Sequence, residues 1–152
     1  MSDQIEWVKE GYRITCNRAE ADVALITGFL SSSSYWAKDI SLDIVQRSID
    51  NSLNFILLKG NRQVGFARVV TDYATVAYLS DVFILPAYRG NGLGKWLIEC
   101  VVSHPRLQGF RRWLLATLDA HKLYEPYGFS ALSHPEWFME KFNPGVYSST
   151  SK

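Results

Sequence analysis

Apolar and polar positions alternate in two distinct rhythms along the chain, and the helical rhythm gives way to that of strands at Phe55. Tyr12-Arg13-Ile14-Thr15-Cys16 alternates as a short strand. Asn17 then offers an N-cap to a helix whose apolar positions Ala21, Leu25, Ile26 and Phe29 follow a helical spacing. The serine run Ser31 to Ser34 breaks that helix as a loop. Ser41 caps a second helix, with Asp43 in its first turn and Leu42, Val45 and Ile49 as its buried stripe. From Phe55 the period becomes that of strands: Phe55 to Leu58, a Gly60-Asn61 turn, then Gln63 to Val70 form a hairpin. Thr71-Asp72-Tyr73 turns the chain into a long strand, Val76 to Leu85, stopped by Pro86.

The second half reads strand, loop, helix, strand, helix, strand. A glycine-rich loop at Arg89 to Gly94 opens a helix with Leu93, Trp96, Leu97, Cys100 and Val101 on one side, closed by Pro105. Trp113 to Leu118 is a buried strand, Ala120 to about Tyr127 a short helix ended by Gly128, and Trp137 to Phe142 a final strand. The tail from Ser148 to Lys152 is expected to fray. This order predicts one α+β domain over residues 1–152, a mixed, mostly antiparallel sheet flanked by about four helices.

Composition removes several classes of function. The 152 residues carry 16 Lys+Arg against 15 Asp+Glu, a formal net charge of +1, which lacks the basic excess of a nucleic-acid binder. Hydrophobic residues make up 47% and charged residues 20%, which excludes a disordered chain. The longest apolar runs are far too short to span a bilayer, and the acidic start lacks the pattern of a secretory signal. Cys16 and Cys100 form no CxxC or Cys/His cluster, and no histidine pair has metal-ligand spacing, so neither a disulfide scaffold nor a metal centre is expected. A cytoplasmic location is the expectation.

Chemistry concentrates in Leu85-Pro86-Ala87-Tyr88-Arg89-Gly90-Asn91-Gly92-Leu93-Gly94-Lys95, where a strand feeds a glycine-spaced turn that opens into a helix. Such a turn lets the backbone approach a ligand, and the helix adds its positive dipole end, which suits a phosphate or pyrophosphate. The alternative is a turn that merely needs glycines. A Walker loop fails here, because Arg89 stands where its first glycine belongs and Trp96 where its Ser/Thr belongs. The dinucleotide fingerprint fails at Lys95.

Arg89-Gly90-Asn91-Gly92-Leu93-Gly94 fits Arg/Gln-x-x-Gly-x-Gly/Ala and resembles motif A of the GNAT superfamily of acyl-CoA-dependent N-acyltransferases. Ala120-His121-Lys122-Leu123-Tyr124-Glu125-Pro126-Tyr127-Gly128-Phe129 resembles a second segment of that family, and Asp81-Val82-Phe83-Ile84-Leu85-Pro86 occupies the strand before the loop. Two departures stand out: Thr117, where many members carry asparagine, and Pro126.

The resemblance implies a GNAT-like fold with acetyl-CoA as co-substrate. Backbone amides of Arg89, Gly90, Asn91, Gly92, Leu93, Gly94 and Lys95 would hold its pyrophosphate. Val82, Phe83 and Ile84 would pair with the pantetheine arm as an added strand does. Tyr124 matches the family's general acid for the CoA sulfur, and Asp81 an acidic residue aimed at the acceptor amine. Asp119 reads as the cap of the helix that follows. The first two helices, their loop and the hairpin would supply the acceptor pocket, with Tyr35, Trp36, Arg68 and Asp72 as candidate substrate contacts. Arg68 favours a carboxylate-bearing amine, whereas the aromatic and acidic groups favour a cationic one. The implied activity is acetyl transfer to a small-molecule or peptide primary amine by direct attack in a ternary complex. A non-catalytic acyl-CoA-binding regulatory module is the alternative, and a homodimer stays open.

Overall fold

The computed structural model describes residues 5–150. Six strands form one sheet in sequence order: β1 (Glu6–Lys9), β2 (Tyr12–Thr15), β3 (Leu53–Lys59), β4 (Arg62–Thr71), β5 (Val76–Ile84) and β6 (Arg112–Leu115). Neighbours are antiparallel except β5 and β6, which run parallel. The helices are α1 (Val23–Ser33), α2 (Leu42–Asp50), α3 (Leu93–Ser103), α4 (His121–Tyr124) and α5 (Val146–Thr150). The α+β class and the mixed sheet are as expected from the sequence, with one short terminal helix beyond the four anticipated.

Both faces of the sheet are covered, which explains why β3 is apolar at consecutive positions. Phe55 and Leu57 face a core shared with Leu93, Leu97 and Val101 of α3. Ile56 and Leu58 face the opposite core, shared with Ile26, Leu30, Val45 and Ile49 of α1 and α2. A strand buried on both faces reads as a continuous apolar run rather than an alternation.

Several sequence expectations move. Asn17 caps only a 3-10 turn, Arg18–Glu20, and α1 starts later, where the Asp22 carboxylate accepts from the Leu25 amide at 3.0 Å. The helix runs through Ser33, so the serines continue it. Ser34 ends it, with its hydroxyl donating to the Leu30 carbonyl at 2.6 Å. Leu42 is 52% exposed rather than part of the buried stripe of α2, because the first position of that helix faces away from α1. The strand expected over 113–118 stops at Leu115. The final strand over 137–142 does not form, and a 3-10 turn at Pro135–Trp137 is followed by irregular chain. Ser148, placed in a frayed tail by the sequence, lies in α5 and donates to Asp39 at 3.2 Å; residues 151–152 of that tail lie outside the described residues. Among the described residues no helix is long and apolar enough to cross a membrane.

Candidate active site

The site begins as a parting of two strands. β5 and β6 pair from Val76↔Arg112 to Leu79↔Leu115, after which Ser80 to Ile84 have β4 on one side and, among the described residues, no strand on the other. The parting has a local cause. Across β4 and β5, Phe66 faces Phe83 and Arg68 faces Ser80, so β5 carries one residue too many. Asp81 takes up that extra residue with φ +52°, a left-handed conformation that Asp tolerates better than most residues.

Into the parting opens a cleft of about 750 Å³, whose walls include Phe29, Tyr35, Trp36, Asp81, Gly92 and Tyr124. Val82, Phe83, Ile84, Arg89, Gly90, Leu93 and Gly94 also line it; Asn91 and Lys95 belong to the same loop but do not. Gly90 (φ +85°) and Gly92 (φ +79°) both use the left-handed region, and the Gly92 Cα faces open space. Gly92 is the N-cap of α3, and a glycine turn opening into a helix start is an arrangement that binds anions. Arg89 anchors the loop to β5, its Nε donating to the Ile84 carbonyl at 2.9 Å, so that carbonyl is engaged before any ligand arrives.

Tyr124 projects from α4 into the cleft and is buried. Burial, with Tyr35 nearby, pushes its hydroxyl up to about 12. The phenol therefore holds its proton throughout the neutral range, and it has no hydrogen-bond partner among the described residues. That is the state a proton donor needs. Burial likewise pushes the Cys100 thiol, in the α3 core, up to about 12, which makes it inert.

Asp81 has a different environment from the one expected. Its Oδ2 accepts from Arg68 Nε at 2.7 Å, and its Oδ1 accepts from Trp36 Nε1 at 3.0 Å. The Arg68 guanidinium also donates to the Ser52 hydroxyl at 3.0 Å. Asp81 is thus tied into the protein on both oxygens instead of standing free to face an amine. Arg68, expected to meet a substrate carboxylate, points its charge at Asp81 and does not line the cleft. Asp72 is likewise corrected. It sits in the β4–β5 turn, at the far end of β5, and accepts from the amides of Ala74 and Thr75 and from the Thr75 hydroxyl. Those bonds hold its carboxyl well below the usual range, so it organises the turn.

Tyr35 and Trp36 do reach the cleft. They meet edge to face at 5.0 Å, and the Tyr35 hydroxyl accepts from the Leu118 amide at 2.7 Å. The α1–α2 loop therefore bridges to the segment after β6, across the mouth of the parting. At the turn into α4, Thr117 Oγ1 accepts from the Ala120 amide at 3.1 Å. The cap expected of Asp119 does not form: the N-cap position of α4 is Ala120, with no side-chain cap bond, and Asp119 lines the cleft. Sequence reasoning passed over Phe29, which stacks on Phe83 at 4.0 Å and closes one end of the cleft. Its helical spacing marked it only as core. The Arg68–Asp81 pair was also missed, although counting back from the Asp72 turn places Arg68 opposite Ser80. Among the described residues no group of three His, Cys, Asp or Glu side chains could hold a metal ion.

The family model for the acetyltransferase (GNAT) family matches residues 19–129, which contain every element of the cleft. A solved structure from Xanthomonas campestris pv. campestris, assigned to the GNAT acetyltransferases, is 49% identical. It superposes with a TM-score of 0.89 over 93% of this chain and 99% of its own. A Gibberella zeae protein described as an acetyltransferase is 30% identical over 140 residues, 78% of each chain. The mouse thialysine N-epsilon-acetyltransferase is 31% identical over 93 residues, 55% of each chain.

Proposed function

The chain belongs to the acetyltransferase (GNAT) family, and from that premise we propose that it moves the acetyl group of acetyl-CoA directly to a primary amine in a ternary complex. The observation that carries this reading is the buried Tyr124 hydroxyl, held protonated inside a cleft that opens on a glycine loop at the start of a long helix. The cleft suits the co-substrate. Amides from Arg89 to Lys95 would hold the pyrophosphate, and the unpaired edge of β5 at Val82 and Phe83 would take the pantetheine amides as a partner strand.

The acetyl group would then enter the part of the cleft lined by Phe29, Asp81 and Tyr124. The amine nitrogen attacks the thioester carbonyl, the C–S bond breaks, and the Tyr124 O–H supplies a proton to the departing sulfur. The cationic amine gives up one proton to solvent before the attack and a second after it, and the Tyr124 phenolate regains a proton from solvent, so one amide and one CoA thiol form and the phenol is restored. Tyr35, Trp36 and Asp119 would line the acceptor's approach, an aromatic and acidic surface that suits a cationic amine. Asp81, tied to Arg68 and Trp36, acts on the amine by holding Trp36 and the bulge in place and by the lone pairs it has left. The mouse relative's named acceptor, thialysine, is an amine of this kind and is the first to try.

The test is free-thiol release from acetyl-CoA with a panel of primary amines that includes thialysine, lysine and peptide N-termini, run beside thermal denaturation with CoA. Amine-dependent release supports the enzyme. Stabilisation by CoA with no release on any amine favours a regulatory acyl-CoA-binding module; at 100 times its Kd the ligand adds about 2.7 kcal/mol. No effect of CoA at all overturns both.

A further inference from the structure

Around the acceptor's approach, the cleft carries charge of one sign only. Its one lining cation among the described residues, Arg89, stands at the glycine loop with its Nε on the Ile84 carbonyl, at the end that would hold the co-substrate. Lys38, His121 and Lys122 lie close to the wall residues in sequence but do not line the cleft. Arg68, the group that would receive a carboxylate, is already engaged. Its Nε donates to Asp81 at 2.7 Å, its side chain is 16% exposed, and it does not line the cleft either. The same contact neutralises Asp81. What remains to face an acceptor is Asp119, an exposed carboxylate on the cleft wall with no hydrogen bond or ion pair among the described residues.

The fold brings aromatic rings up to that carboxylate. The Tyr35 hydroxyl accepts from the amide of Leu118, the residue before Asp119, at 2.7 Å. Trp36 meets the Tyr35 ring edge to face, and its Nε1 donates to Asp81 at 3.0 Å. The two rings therefore run from the Asp81 bulge to the segment that carries Asp119. They are held there although Tyr35 is 56% and Trp36 40% exposed. Tyr78, also exposed, lines the same cleft. Ring faces beside a carboxylate attract a cation. A second carboxylate arriving there meets a like charge and no cation to pair with, which is how a site rejects a competitor.

We infer that Asp119 selects the acceptor: the amine acetylated here carries, beyond its reacting nitrogen, a second positive group and no carboxylate. The inference rests on the acetyl-transfer reading and names the class of acceptor within it. Free lysine and thialysine, which both bear a carboxylate, should then trail their own carboxamides. An exposed ion pair acts on the scale of a few-fold. Changing the far group from positive to negative replaces attraction with repulsion, so the whole span is about tenfold.

Thiol release from acetyl-CoA is followed with three amines of one chain length that differ only at the far end: diaminopentane, aminopentanol and aminopentanoate, each terminally substituted. kcat/KM should fall in that order by about tenfold from first to last, with diaminopentane counted per amine and the difference carried by KM. The spread should shrink as salt is added, because the charges meet at an exposed wall. Asp119→Asn should remove most of the preference for diaminopentane over aminopentanol, and Asp119→Lys should put aminopentanoate first. CoA binding by calorimetry checks that both variants are folded; if neither is, the order and its salt dependence in the parent protein decide. A flat series, a series led by aminopentanoate, or an order that survives both substitutions would overturn this inference and leave acetyl transfer standing. Release from none of the three, nor from any other amine, would overturn acetyl transfer and this inference with it.

Discussion

Asp81→Asn isolates the charge of the bulge residue from its shape. Asn tolerates a positive φ about as well as Asp, so the +52° backbone is unaffected, and one side-chain oxygen can still accept from Trp36 Nε1. The loss falls on Arg68. Its side chain is only 16% exposed, and the substitution takes away the carboxylate 2.7 Å from its Nε, leaving hydroxyls of Ser52 and Ser80. Removing one partner of a buried pair costs about 3–5 kcal/mol, because the other charge remains buried. For a chain of this length each kcal/mol moves Tm by roughly 2–4 °C, so a fall of about 6–20 °C is expected. Adding Arg68→Met removes the stranded charge and should recover most of that stability, since replacing a whole buried pair with apolar groups is often neutral. Urea denaturation of the parent, both single variants and the double variant measures the cycle. An Asp81→Asn variant within about 0.5 kcal/mol of the parent, or a double variant less stable than Asp81→Asn, would refute the idea that Asp81 is what offsets the buried charge of Arg68.

Three further outcomes follow from particular contacts. Gly65→Ala places a Cβ 2.9 Å from side-chain atoms of Ile84 and Leu57 and 3.1 Å from the Phe83 carbonyl. It should cost about 1–3 kcal/mol by overpacking, and raise KM for acetyl-CoA through displacement of β5, measured by denaturation and by initial rates. Gly92→Val puts a β-branched residue at φ +79°, facing open space where the pyrophosphate would lie. Titration calorimetry should show CoA binding weakened at least about tenfold, which corresponds to 1.4 kcal/mol, the scale of left-handed strain alone. Because burial raises the Tyr124 hydroxyl from the ordinary tyrosine value to about 12, the unfolded chain ionises first as pH rises. Its contribution is intact below pH 10 and drains away between about 10 and 12, to the extent of about 2.7 kcal/mol relative to Tyr124→Phe. For the same reason kcat should show no falling limb from this group below about pH 10.

What could be read in the chain depended on whether the signal was local. Gly92, Gly94 and Leu93 declared a loop entering a helix because backbone conformation and helix start are decided over a few residues. Tyr124 was found through a segment that carries its own helix and its glycine stop at Gly128, which has φ +95°. The partners of Asp81 were not legible, because Trp36 and Arg68 reach it from 45 and 13 positions away. Charge type alone then suggested an outward role for Arg68, whereas cross-strand register turns it inward. Asp72 misled for the opposite reason: its bonds are all within four residues, and a turn capper and a substrate carboxylate look alike in sequence. The strand expected over Trp137 to Phe142 had a strand's composition, but a strand requires a hydrogen-bonded neighbour, and among the described residues this segment pairs with none.

The central claim is tested most directly by Tyr124→Phe, which removes one oxygen from a buried side chain and leaves the rest of the cleft in place. With a productive amine, thiol release and mass-detected acetylated product should rise together in the parent protein. In the variant kcat should fall by about 10²–10⁴-fold, with CoA binding by calorimetry unchanged. A variant that binds CoA and turns over at the parental rate would contradict the account.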